Sequence, residues 1–307
     1  MAHQYSLPVA ALCVLISAGT LALPQAIAAQ ELAPCGQECL KGFVDQYLDV
    51  LETGDPSGLP VATSVKYTEN GRVLGLGEGL WKTAGTAVSY RDYVLDPQSG
   101  GAVVLTAVKE YDAVAQMMLR LKIANDKISE IETIVVRTGD QRWFAPENLD
   151  SFSNIFAEPV QPAERHSREQ LIEAADAYFT AIQTEGTPEF RQAPFGEGMN
   201  RYENGLRTTN VSVNPISERH TFSAAEQLER AFYKGVQVMD RRYPVVDVEH
   251  GSVLGIVTFR RDGPDTGTLL LSEVFKVTGG KLREIRAVML NLPNGASTGW
   301  KSPISSQ

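Results

Sequence analysis

The sequence predicts an α+β protein built from two tandem domains of one design, and three ordered matches between its halves predict it. Tyr67-Thr68-Glu69-Asn70-Gly71 returns as Arg201-Tyr202-Glu203-Asn204-Gly205. A helical Tyr47-Leu48-Asp49-Val50-Leu51 finds its partner in Tyr178-Phe179-Thr180-Ala181-Ile182. A strand–turn–strand pattern at Leu121–Ile131 recurs at Phe275–Ile285. The matches lie well over a hundred residues apart, too far for a solenoid, whose units run ~20–50 residues. A whole domain has been duplicated.

Taken in order, residues 1–29 carry no Asp, Glu, Lys or Arg, are nearly all apolar from Leu7 to Leu23, and end in Ala26-Ile27-Ala28. That pattern predicts a secretory leader cut near Ala28 or Ala29, and therefore a secreted or periplasmic protein. The first domain then occupies residues 30–144. Leu40, Phe43, Val44, Tyr47, Leu48 and Leu51 share one face at helical spacing, and Gly54-Asp55-Pro56 stops that helix. Met117, Leu119, Leu121 and Ile123 alternate with Met118, Arg120 and Lys122, the period of a half-buried strand. Asn125-Asp126 turns the chain, and residues 128–136 return. A linker with Pro146, Pro159 and Pro162 spans residues 145–166.

The second domain, residues 167–292, opens on a capping box of Ser167 and Gln170. Leu171, Ile172, Ala175, Tyr178, Phe179 and Ile182 give its helix an apolar face. Another helix is expected from Ser223, with Glu226 as its capping partner and Leu228, Ala231, Phe232, Val236 and Met239 facing inward. Leu269, Leu271, Glu273, Phe275 and Val277 form an alternating strand, turned at Gly279-Gly280 and returning from Leu282 to Leu290. Residues 293–307 are expected to run irregularly over the surface. Helices packed on one face of a sheet make each half an α+β layer.

The net charge of −9 belongs wholly to the residues after the leader. That acidity argues against nucleic acid, whose phosphates require clustered Lys and Arg, and equally against anionic membranes as partners once the leader is gone. Cys35 and Cys39 stand at i,i+4 where the first helix begins, placed to staple the mature N-terminus as a disulfide in an oxidising compartment. Two thiols with no nearby histidine make no metal site.

The order of elements resembles the NTF2-like, or SnoaL-like, cone in tandem. Glu69-Asn70-Gly71, Gly79-Leu80-Trp81-Lys82-Thr83, Arg120-Leu121-Lys122-Ile123 and Asp240-Arg241-Arg242-Tyr243-Pro244-Val245-Val246-Asp247 also resemble a family of secreted bacterial and fungal proteins known only as a domain of unknown function, DUF8021. That likeness covers roughly residues 36–292. It implies two cones, each a curved antiparallel sheet wrapped on helices, packed as a pseudo-dimer within one chain. It brings no established catalytic residues. NTF2-like relatives include isomerases, cyclases, dehydratases, lyases and noncatalytic binders working without a cofactor, so the fold narrows the chemistry without choosing it.

Within such a pocket a buried carboxylate has a raised pKa and serves as general acid or base. Glu69 and Glu203 are the first candidates, with Asn70, Asn204 and Tyr202 to orient a substrate or hold an oxyanion. The same residues also read as a plain hairpin turn, since Asn-Gly favours one. Arg241 or Arg242, beside Asp240, Tyr243 and Arg201, offers a fork for a substrate carboxylate. The competing reading is an ion-pair network bracing the sheet. Asp240-Arg241-Arg242 has no counterpart in the first half, which points to the second domain as the working one. His220 and His250 read as solvated loop histidines, and Glu130 and Glu284 as equivalent positions whose direction depends on register. No dinucleotide loop, nucleophile elbow or His-Glu-x-x-His appears. The expectation is a cofactor-independent lyase, dehydratase or isomerase acting on a small, partly apolar molecule. The alternatives are a noncatalytic binder and a structural module with filled pockets.

Overall fold

The computed structural model describes residues 1, 3, 35–185, 187–188, 192–261, 263 and 266–300. The chain divides into a short unit, Met1–Ala33, and a large one, Pro34–Gln307. The expected leader falls on the short unit and, Met1 and His3 apart, lies outside the described residues.

The large unit is a mixed α+β structure with two open sheets and few helices. The first repeat comprises α1 (Gln37–Thr53), β1 (Val61–Glu69), β2 (Arg72–Leu74), β3 (Ala84–Ala87), β4 (Asp92–Asp96), β5 (Gly101–Glu110), β6 (Ala113–Ala124) and β7 (Lys127–Val136). The second comprises α2 (Arg168–Gln183), β8 (Phe195–Glu203), β9 (Leu206–Arg207), α3 (Ala224–Glu229), β10 (Gln237–Asp247), β11 (Ser252–Arg260), β12 (Thr268–Thr278) and β13 (Lys281–Leu292). The sheets run β2-β1-β7-β6-β5-β3, with β4 also on β5, and β10-β11-β12-β13-β8-β9. In each repeat the first strand joins the last in parallel, β1 on β7 and β8 on β13, while the other pairs are antiparallel.

Local chemistry explains the ends of these elements. Cys35 and Cys39 are disulfide-bonded at the start of α1. Gly54, left-handed at φ 72°, closes that helix by donating its N–H to the Leu51 carbonyl. Both expected capping boxes form, Ser167 with Gln170 and Ser223 with Glu226. The helix expected from Ser223 is nevertheless only six residues long. Ala231 adopts a left-handed φ of 57°, and Met239 lies exposed in β10 rather than on a helix face. Asn125 and Asp126 both have positive φ, the two-residue turn that matches strand twist.

Leu40, Val44, Tyr47, Leu48 and Leu51 of α1 are buried against one face of the first sheet. Leu171, Tyr178, Phe179 and Ile182 of α2 do the same on the second. The opposite faces meet each other. Val103, Leu105, Met118 and Ile134 of the first sheet share one apolar layer with Leu254, Ile256, Leu270, Val274 and Val288 of the second. The expectation of a half-buried β6 is thereby corrected: Met118 and Arg120 are buried too, because a second sheet covers them. Both repeats consequently lie inside one compact unit. The segments outside the strands are also packed, with Phe156 of the linker fully buried in the layer between sheets.

Two short straps cross between the repeats. After β7 the chain carries Trp143 to Ala145 onto the second repeat's Asn204-Gly205 turn, where the Ala145 N–H donates to the Asn204 carbonyl at 2.8 Å. After β13, Ser297 to Trp300 lies across the first repeat's Asn70-Gly71 turn, and the Trp300 indole N–H donates to Thr68 Oγ1 at 2.9 Å. The described part of the tail, residues 293–300, docks instead of wandering.

Candidate functional site

Asn70 and Gly71, at φ 50° and 77°, and Asn204 and Gly205, at 47° and 84°, form the hairpin turns that the Asn-Gly pairs favour. The amides of both asparagines are committed to backbone. Asn70 Oδ1 accepts from the Val135 N–H at 2.8 Å and Asn204 Oδ1 from that of Met289 at 2.9 Å. Their Nδ2 groups donate to the carbonyls of the same two residues. Neither is placed to hold an oxyanion. Tyr202 points to the other side of β8 from Glu203, its ring 4.4 Å from that of Phe152.

The glutamates before the two turns meet different surroundings. Glu69 Oε2 accepts from the Tyr67 hydroxyl at 2.9 Å and the Leu80 N–H at 2.7 Å, beneath a core filled by Tyr47, Tyr67 and Trp81. Its position is that of a structural acceptor. Glu203 instead lines a cavity of about 370 Å3 on the second sheet, walled also by Tyr178 of α2 and by Trp143, Arg219 and Tyr233. Its Oε1 pairs with Arg201 Nε at 3.0 Å, and its buried Oε2 has no hydrogen-bond partner among the described residues.

Strand register brings a second carboxylate to the same row. Glu203 on β8 faces Ala287 on β13, and Ala287 faces Glu273 on β12. Adjacent strands lie ~4.8 Å apart, which puts the two glutamate backbones roughly 10 Å apart with only an alanine methyl between them. Glu273 also lines the cavity, is almost completely buried, and has an unpartnered Oε2. Burial pushes its carboxyl up to about 8, a rise that Arg201 opposes and the Glu203 charge reinforces. The matching row of the first repeat reads Glu69, Thr133, Leu119. The paired carboxylates belong to the second repeat alone.

Arg201 organises the buried end. Its Nη2 donates to Gln227 Oε1 at 2.6 Å and its Nη1 to the Tyr178 hydroxyl at 3.2 Å. Gln227 is held in turn by its Nε2 donating to the carbonyls of Thr208 and Arg219. In the first repeat the position of Arg201 is taken by Tyr67, facing Ile131 as Arg201 faces Ile285. The Trp143 indole, brought by the strap, forms another cavity wall, and its N–H too is buried without a partner.

Several sequence-expected residues lie elsewhere. Arg242 reaches across to Glu132 of the first sheet at 2.5 Å, where Arg120 Nε also bonds at 2.7 Å. Arg241 and Tyr243 bind Asp176 of α2 at 3.1 and 2.7 Å. Asp240 Oδ2 accepts from Thr258 Oγ1 at 3.0 Å. The Asp240–Asp247 segment braces β10 and lines no part of this cavity. Glu130 and Glu284 pair with Arg120 and Arg286. His250 Nδ1 lies 2.9 Å from Asp247, whereas His220 is no solvated loop residue. It is buried with its ring edge-on to Trp143, and burial pulls its pKa down. Glu273 does not stand out in the sequence. Its signal is a carboxylate in phase with Leu271 and Phe275, on the buried face of a strand.

Residues 36–135 and 164–289 match the family described as Domain of unknown function (DUF8021). The chain belongs to that family. The two matched stretches coincide with the two sheets, so one DUF8021 unit corresponds to one helix-covered sheet. No curated protein matches the chain. Among the described residues no group of three or more His, Cys, Asp or Glu is placed to hold a metal ion, and no helix is long and apolar enough to cross a membrane.

Proposed function

We propose that this DUF8021 protein is a cofactor-independent lyase, dehydratase or isomerase that moves protons within the second repeat's cavity. The observation that carries the reading is the row Glu203–Ala287–Glu273, two buried carboxylates with unpartnered oxygens on one small cavity. Their environments differ in the way acid–base chemistry needs. Glu203, ion-paired with Arg201, is the base. Glu273, whose carboxyl is pushed up to about 8, is the acid.

In a dehydration, Glu203 takes a proton from carbon and the freed pair forms the double bond. The neighbouring C–O bond breaks as Glu273 gives its proton to the departing hydroxyl, which leaves as water. In an isomerisation the same groups remove a proton at one carbon and return one at another atom. A cavity of about 370 Å3 lies toward the small end of ligand sites, ~300–1,000 Å3, and suits a small, partly apolar molecule.

We infer too that the repeats are two NTF2-like cones joined as a pseudo-dimer, which the repeated helix-on-sheet plan and the apolar layer between the sheets support. The Cys35–Cys39 disulfide supports work outside a reducing compartment.

Untargeted mass spectrometry of metabolite mixtures before and after incubation identifies the substrate. On it, Glu203→Gln and Glu273→Gln are each expected to lower kcat by ~10²–10⁴-fold. Activity of the unsubstituted protein should fall as pH rises through about 8, where Glu273 loses its proton. Undiminished turnover by either variant rules the mechanism out.

A further inference from the structure

The cavity that holds the carboxylate pair is also lined by Arg219, Arg260 and Arg261. Arg261 is exposed and the other two are partly buried, whereas Glu203 and Glu273 are buried. The cations therefore stand toward solvent and the carboxylates at the inner end. In a chain of net charge −9 this concentration of arginine is against the trend.

The arginines are incompletely used by the protein. Arg219 Nη2 donates to the Tyr233 hydroxyl at 3.0 Å, and its guanidinium packs 5.2 Å from the Trp143 ring centre. Arg260 Nη2 donates to the Ala296 carbonyl at 3.0 Å and lies 3.5 Å from Asp240 Oδ2, a long contact. The Nε of both Arg219 and Arg260 is buried without a hydrogen-bond partner. Among the described residues Glu185 also feels the charges of Arg261 and Arg219, and its Oε2 accepts from the Tyr233 N–H at 2.8 Å. At the inner end Glu203 is matched by Arg201. Trp143, Val236, Phe259, Leu269, Leu271 and Met289 supply apolar wall between the two ends.

We propose that the substrate of this cavity is a small organic anion, a carboxylic acid with an apolar body, whose acid group is held by Arg219 with Arg260 and Arg261 while its body lies along the apolar wall toward Glu203 and Glu273. This deepens the proton-transfer reading and rests on it for the word substrate, but the binding claim stands on the cavity itself. It also moves acid recognition from Arg241 and Arg242, which are occupied on α2 and across the sheets, to arginines on the cavity. A guanidinium fork fits a carboxylate better than any neutral group of the same size.

Calorimetric titration of the protein with matched probes tests it: trans-cinnamate against cinnamamide, and 4-phenylbutyrate against 4-phenylbutyramide. Each acid is expected to bind at least about tenfold more tightly than its amide, with the difference shrinking as added salt shortens the reach of the charges. Arg219→Gln should abolish most of that preference. Arg261→Gln, at an exposed position that leaves the fold undisturbed, should reduce it several-fold while leaving amide binding alone. Equal binding of acid and amide, an acid preference untouched by both substitutions, or no binding by either acid at millimolar concentration overturns the proposal. The readout is binding alone, so such a failure is separable from failure of the proton-transfer reading, which is judged by turnover in the glutamate variants.

Discussion

Glu203 and Glu273 show how one residue type meets different surroundings on one sheet, the first ion-paired with Arg201 and the second pushed up by burial. Glu203 is recognisable because its motif is repeated; Glu273 is not, since its partner across the row becomes visible only when β8, β13 and β12 are aligned. The raised carboxyl has a consequence for stability. Folded Glu273 keeps its proton up to about 8, while its ordinary value is 4.5. Its stabilising effect is complete below the unfolded value and is lost as pH rises through the folded one, at up to about 1.4 kcal/mol per pH unit. Glu273→Gln is neutral throughout. Urea denaturation between pH 5 and 8 should therefore show the wild type losing stability relative to the variant, and a pH-independent difference would count against this account. At the same scale, the place of Asn204 beside a glutamate suggests an oxyanion role, and its bonds to Met289 show that it continues the backbone ladder instead.

At the scale of elements, helices and hairpins were legible because their periods of 3.6 and 2 are written locally. The straps were not, although Trp143-Phe144-Ala145-Pro146 and Trp300-Lys301-Ser302-Pro303 share a Trp-x-x-Pro spacing in the sequence. Each Asn-Gly turn receives the segment trailing the other repeat, which explains the glycine as well as the turn does. A Cβ on Gly205 would lie 2.2 Å from the Ala145 carbonyl oxygen, and one on Gly71 would lie 2.2 Å from that of Ser297. Gly198, at φ 67°, has nothing within 4 Å of such a Cβ and isolates backbone strain from contact. Gly205→Ala is expected to cost about 1–3 kcal/mol more than Gly198→Ala in urea denaturation. It should also shift Trp143 fluorescence, because that ring lines the cavity. Equal costs in the two variants would show that the strap does not press on the turn.

At the scale of the whole molecule, the two sheets are held by an apolar layer and by a buried charge cluster. Glu132 receives both Arg120 and Arg242, from different sheets, and all three are buried. Removing one partner of such a group strands charge in a dry interior. Glu132→Ala should destabilise the chain by about 3–5 kcal/mol in denaturant titration, well beyond Asp45→Ala in the half-exposed Lys41–Asp45 pair. A loss no larger than at Asp45 would remove the cluster from any role in joining the sheets.

The sequence by itself determined the duplication, the α+β class, the capped helices, the hairpin turns and the acidic surface, since each is carried by neighbouring residues or by direct comparison of the halves. Only the tertiary structure decided that the second faces of both sheets are buried, that Arg242 serves the interface, and that the carboxylates and arginines share a cavity in one repeat. Those outcomes depend on register and on which faces meet. A one-residue slip in a strand exchanges its two faces, and no local pattern records which row of one strand lies beside which row of the next.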